Sequence, residues 1–108
     1  MNLPTEIFGN VVVVHTPQEL GSDQAGGFES FAATLERSSA VFDLDGTETL
    51  DSRGLTALLN VQDKLRERGG DMKIAVTNPT NRKILEITRL DRHLEVFESV
   101  VDAVRSFH

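Results

Sequence analysis

Two carboxylates, a glycine turn, and a serine beside a third carboxylate fall within the stretch Val41 to Leu55, VFDLDGTETLDSRGL. Asp43 and Asp45, separated by Leu44, have the types and spacing of a nucleophile and a general acid/base. Ser52, next to Asp51, has the type and setting of a hydroxyl that accepts a phosphate. Both chemistries need the same scaffold. Val41, Phe42 and Leu44 read as a buried strand, Gly46 and Thr47 as the turn leaving it, and Asp51 with Ser52 as a helix start.

The elements around this stretch alternate. Ile7 to His15 is rich in β-branched residues and reads as one strand or a strand pair, broken at Gly9 and closed by Pro17. Phe28, Phe31, Ala32 and Leu35 recur at helical spacing, and Gly26 and Gly27 weaken the front of that helix, placing its start near Gly27. Ala40 to Leu44 is a short strand. Ser52 to Arg68 is a helix with Leu55, Leu58, Leu59, Gln62 and Leu65 on one face, cations in its last turn, and Gly69 and Gly70 as its stop. Met72 to Val76 returns as a strand. Pro79 opens a helix bearing Ile84, Leu85, Ile87 and Thr88, Leu94 to Phe97 is a further short strand, and Ser99 caps a last helix with Val100, Val101, Val104 and Phe107 on one side. The expected fold is α/β: a central mixed sheet of about four to five strands with about four helices, mainly on one face.

Composition narrows the functions. A chain of 108 residues, 39% hydrophobic, holds one domain spanning residues 1–108 and no second catalytic unit. Its net charge of −6, from 11 basic and 17 acidic residues, argues against nucleic acid, which needs a clustered basic surface. With no cysteine and with His15, His93 and His108 dispersed, neither a disulfide nor a metal site is expected, and no cofactor is implied. The longest apolar run is Val11 to Val14, so a cytoplasmic chain without membrane insertion is expected. Those four valines could form a dimerising sheet edge, though a covered strand is the commoner outcome, and a homodimer stays open. The runs Lys64, Arg66, Glu67, Arg68 and Asn81, Arg82, Lys83 read as solvated helix ends.

Phe42 to Thr47, FDLDGT, resembles the first motif of haloacid-dehalogenase-type phosphatases, which implies Asp43 as nucleophile and Asp45 as proton shuttle. Glu48 stands where that family has leucine, and Asp51 falls one residue late. Lys64, Lys73 and Lys83 exist, but no close aspartate pair follows to hold the metal that this chemistry uses. A strand exit and turn is the favoured reading.

From Asp43 onward the chain resembles the STAS family of anti-sigma factor antagonists. The spacing is carried by Asp43, Asp51, Ser52, Gly54 and Leu55, followed by the leucine-rich helix, the Arg68, Gly69, Gly70 turn, the strand from Met72, Pro79, and the Leu85 to Leu90 region. The resemblance is strongest over residues 40–107. It implies a non-enzymatic module whose unphosphorylated form binds an anti-sigma factor that is also a serine kinase. Phosphorylation of Ser52 would end that binding, and a serine phosphatase would reset it. By motif position the partner surface is Asp45, Thr47, Glu48, Thr49, Asp51, Arg53, Gly54 and Ala57. Arg53 replaces the small residue many switchable members carry there. Thr47, Thr49 and Ser39 are other hydroxyls that could accept a phosphate. Asp51 or Ser52 could also simply cap the helix, and Gly54, costly inside a helix, implies close approach of another backbone. The alternative is a STAS scaffold or adaptor subunit in a stress-signalling assembly or lipid-transport complex, with Ser52 structural.

Overall fold

The chain opens with a hairpin, β1 (Thr5–Phe8) and β2 (Val11–His15), whose turn at Gly9 has φ of +62°, a left-handed conformation that glycine adopts without strain. The computed structural model describes residues 1–107; His108 lies outside the described residues. There follow β3 (Glu19–Leu20), α1 (Ser22–Ala33), β4 (Ser39–Asp43), β5 (Thr49–Leu50), α2 (Ser52–Glu67) and β6 (Asp71–Ala75). The chain then runs through α3 (Pro79–Ile87), a 3₁₀ turn (Leu90–Arg92), β7 (Glu95–Phe97) and α4 (Val100–Arg105).

The main sheet runs β1-β2-β4-β6-β7, with β1 antiparallel and the other pairings parallel. The four valines are therefore off the edges, which are β7 and β1, and on β1 Ile7 and Phe8 face solvent. A dimerising edge at Val11 to Val14 is corrected: β2 is bonded on both sides. Parallel strands covered on both faces need apolar residues at successive positions, and β2 supplies them.

Alternation along the strands sorts the core. Val12, Val14, Ala40, Phe42, Met72 and Ile74 face α1, α2 and α3, while Val11, Val13, Val41 and Ala75 face α4. Three helices thus share one face and the short α4 covers the other. Phe28 and Phe42 meet edge to face, with ring centroids 5.4 Å apart. Under α4, Lys73 donates from Nζ to Ser106 Oγ at 2.7 Å and lies over the Phe107 ring, so this buried cation fastens the final helix.

Three expectations change. α1 starts at Ser22 rather than near Gly27, because tertiary contacts at its N-terminus outweigh the two glycines. Val101 and Ile87 are exposed: Ala103 centres the buried side of α4, and Leu85 that of α3. Arg68 is not merely solvated, since its guanidinium donates to Leu35 O and Glu36 O just beyond α1.

The hairpin is tied to the sheet end by His15, whose Nε2 donates to Glu6 Oε1 at 2.6 Å and Nδ1 to Asp43 Oδ2 at 3.0 Å. Both nitrogens can donate only in the imidazolium form. The Glu6 hydrogen bond raises the His15 pKa above its usual 6.5, burial opposes this, and Asp43 adds to it. A raised folded pKa gives stabilisation that is complete below pH 6.5 and lost as pH rises through the folded value. Thermal melts should therefore show the stability gap between the native chain and His15→Gln at its full size below pH 6.5 and shrinking as pH rises through the folded value.

Candidate functional site

The parallel strands end together, and in open α/β sheets that end is where sites assemble. Here it gathers the loop leaving β4, the start of α2, the loop after β6 and the segment after β2.

Asp43 and Asp45 hold this end together. Asp43 meets His15 through Oδ2, and its Oδ1 accepts from Asp45 N at 3.0 Å. Asp45 accepts from Thr77 N at 2.6 Å, Asn78 N at 2.9 Å and Thr77 Oγ1 at 3.0 Å, joining the loop to the start of α3. A nucleophilic carboxylate needs an oxygen aimed at substrate, and both oxygens of each are committed to the fold. Lys73, a candidate phosphate clamp, lies beneath α4 on the other sheet face. Lys64 and Lys83 sit on exposed helix surfaces. Among the described residues, no group of three His, Asp or Glu side chains is placed to hold a metal ion.

Below this layer is a buried polar knot. Thr47, 0% exposed, donates from Oγ1 to Pro17 O at 2.6 Å and shares a hydrogen bond with the Thr16 hydroxyl. Asn81, 1% exposed, donates from Nδ2 to Leu44 O at 3.0 Å and Thr47 O at 2.7 Å. Asn81 is therefore a structural tie and not part of a solvated cluster. Asn81→Ala would strand Thr47 O and leave Leu44 O with the Thr47 amide alone, an expected loss of about 2 kcal/mol by chemical denaturation, with faster amide exchange across residues 45 to 49.

The start of α2 is set by Asp51, the N-cap. Its Oδ1 accepts from Arg53 N at 2.9 Å and Gly54 N at 3.0 Å. The Gly54 bond is the largest cause of a carboxyl held below its ordinary 3.8; desolvation opposes it, and the Ser22 and Arg53 amides and the Arg53 charge assist. Ser52 is the first helical residue, exposed, and its own hydroxyl does no capping. Capping thus falls to Asp51 alone. Gly54 meets the expected backbone neighbour: a Cβ there would lie 2.0 Å from Leu20 O.

The partner surface expected from the sequence divides. Asp45, Glu48, Thr49, Asp51 and Arg53 are exposed around Ser52. Thr47, Gly54 and Ala57 are corrected as surface residues: they are buried, held by the knot, by Leu20 and by the core. Of the other hydroxyls, Thr47 is buried, Thr49 lies exposed in β5, and Ser39 begins β4, half-buried.

The sequence reading missed the segment after β2. Gln18 O accepts from Glu48 N at 2.7 Å, Gln18 Nε2 donates to Glu48 Oε2 at 2.7 Å, and β3 pairs with β5, so residues 18 to 22 form the far wall of the site. The run Gly21, Ser22, Asp23, Gln24 carried a helix-start signal that could have found it.

The description STAS domain belongs to a family model that matches residues 2–103. A protein of Thermotoga neapolitana, provisionally named an anti-sigma factor antagonist, is 25% identical over 105 residues, covering 94% of this chain and 93% of that protein. Among solved structures, an anti-sigma factor antagonist from Mycobacterium paratuberculosis superposes with TM-score 0.85 at 24% identity, over 97% of this chain and 92% of that one. The Bacillus cell fate determinant SpoIIAA in its phosphorylated form gives TM-score 0.71 at 16% identity, over 99% of this chain and 100% of that one.

Proposed function

Because the chain belongs to the STAS domain family, we propose that it is an anti-sigma factor antagonist, a non-enzymatic binding module whose unphosphorylated form captures an anti-sigma factor with serine kinase activity. Phosphorylation of Ser52 ends that capture, sigma factor is sequestered again, and a serine phosphatase restores the binding form. The observation that carries this reading is the exposure of Ser52 at the first position of α2, with its hydroxyl making no hydrogen bond among the described residues while Asp51 does the capping. Modification there costs the fold little. The relatives' names and the phosphorylated SpoIIAA structure support it.

The docking surface is Asp45, Glu48, Thr49, Asp51 and Arg53 around Ser52. A phosphate would add nearly two negative charges among these carboxylates. Arg53 is the nearest cation in sequence and sets which partner the surface accepts. Among the described residues no helix is long and apolar enough to cross a membrane.

Affinity purification from native-cell lysate with native, Ser52→Ala and Ser52→Glu baits tests this. A kinase-like anti-sigma factor should be retained by the first two and lost with Ser52→Glu. Identical partners on all three, with Ser52 never modified, would assign the chain to the scaffold or adaptor class instead.

A further inference from the structure

α1 has a glycine N-cap, Gly21, so no N-cap side chain serves its first amides, and Gln24 Oε1 covers only the Gly21 amide, at 3.0 Å. The first amide of the helix, Ser22 N, instead donates to Oδ2 of Asp51 at 3.2 Å, from a residue far along the chain. Asp51 therefore spans two helices: one oxygen closes the start of α2 and the other the start of α1. The two starts are held close by more than this contact. Leu20 O accepts from Asp51 N at 3.4 Å, and a Cβ on Gly54 would overlap the same carbonyl. A Cβ on Gly21 would lie 2.7 Å from Asp51 Oδ2, so the missing side chain at Gly21 is what admits the borrowed cap.

We infer that Asp51 is a positioning residue that carries the state of Ser52 to α1, a phosphate at Ser52 withdrawing the Asp51 carboxylate from Ser22 and loosening the first turn of α1. The inference rests on the switch reading above and extends it to a second segment. A phosphate on the first residue of α2 reaches the same Arg53 and Gly54 amides that Asp51 now holds, and a phosphate oxygen is the stronger acceptor. Two anions cannot share those amides without repulsion, so the carboxylate swings out and Ser22 N loses its partner. No other side chain in α1 caps that amide, whereas the phosphate itself replaces the cap on α2. The change is therefore directed to residues 19 to 24, the wall of the site opposite Ser52. A partner that touches both walls would meet altered geometry as well as added charge.

The test uses the isolated chain, so its outcome is independent of whether any partner responds to Ser52. Amide exchange with solvent is measured by NMR for Ser22 in the unmodified chain, in chain carrying phosphoserine at 52 introduced during translation, and in Asp51→Ala, Gly21→Ala and Thr56→Glu. Ser22 exchange should rise at least about tenfold in the phosphorylated chain, as loss of a hydrogen bond to a charged acceptor implies, and similarly in Asp51→Ala. Gly21→Ala, whose Cβ would press hardest on Asp51 Oδ2 and less on its Cγ, should reproduce the rise with the Arg53 and Gly54 amides still protected. Thr56→Glu, a charge one turn further into α2, should leave Ser22 unchanged. Unaltered Ser22 exchange in the phosphorylated chain would overturn the inference, as would a rise of equal size in Thr56→Glu.

Discussion

Gly54→Ala is expected to lower the melting temperature by roughly 8 to 16 °C, the response of a domain this size to about 2 kcal/mol. Two opposed terms set that figure. Alanine in a helix interior is favoured over glycine by about 1 kcal/mol. Against this, the added Cβ would sit 2.0 Å from Leu20 O, a backbone atom fixed by the pairing of β3 with β5. Forcing atoms into such a contact costs up to about 3 kcal/mol, so overlap wins. Gly26→Ala supplies the matching control with opposite sign. It lies within α1, its Cβ would meet nothing within 4 Å, and only the propensity term of about 1 kcal/mol remains, stabilising the chain. Calorimetric melts of the two variants beside the native chain read both effects. A neutral Gly54→Ala would mean that β3 does not press on α2 in solution.

Phosphorylation of Ser52 is expected to weaken binding to the anti-sigma factor by at least about a hundredfold, equivalent to about 2.7 kcal/mol. A single like-charge contact at about 5 Å, at the intermediate dielectric of a protein surface, is worth about 3 kcal/mol, and phosphate brings nearly two charges. The surrounding carboxylates, Asp45, Glu48 and Asp51, offer it no relief, and Arg53 supplies one positive charge. Isothermal titration of the purified partner with unmodified and phosphorylated chain measures the ratio. Because rim charges act strongly on association rates, the loss should lessen as salt is raised.

Much of this was legible in the residues. Val41, Phe42 and Leu44 announced a buried strand, Gly69 and Gly70 a helix stop, and Ser99 a cap, because each rests on chemistry local to a few positions. The close backbone at Gly54 was legible for the same reason: a glycine inside a helix asks for an explanation. What failed was whatever depended on distant neighbours. Gly26 and Gly27 read as a weak helix front although Gly21 to Gln24 carried a local start signal, and the added support from Asp51 lies in no local window. Thr47, Gly54 and Ala57 read as surface because their motif positions flank Ser52, whereas burial follows from packing against Pro17, Leu20 and the core. Asn81 read as solvated beside Arg82 and Lys83, but the helix turns its amide inward to two loop carbonyls. At Asp43 and Asp45 the motif named the residues, and only their partners, His15, Thr77 and Asn78, reveal that both carboxylates hold the loop in shape.

If the phosphate state of Ser52 decides partnership, that residue will differ between two pools of the same cell. The endogenous chain is separated into partner-bound and free fractions, and phosphate at Ser52 is quantified in each by mass spectrometry. The bound fraction is expected to be almost free of phosphate at Ser52 and the free fraction to carry it. Equal occupancy in the two pools, or bound chain enriched in phosphate, would contradict the switch.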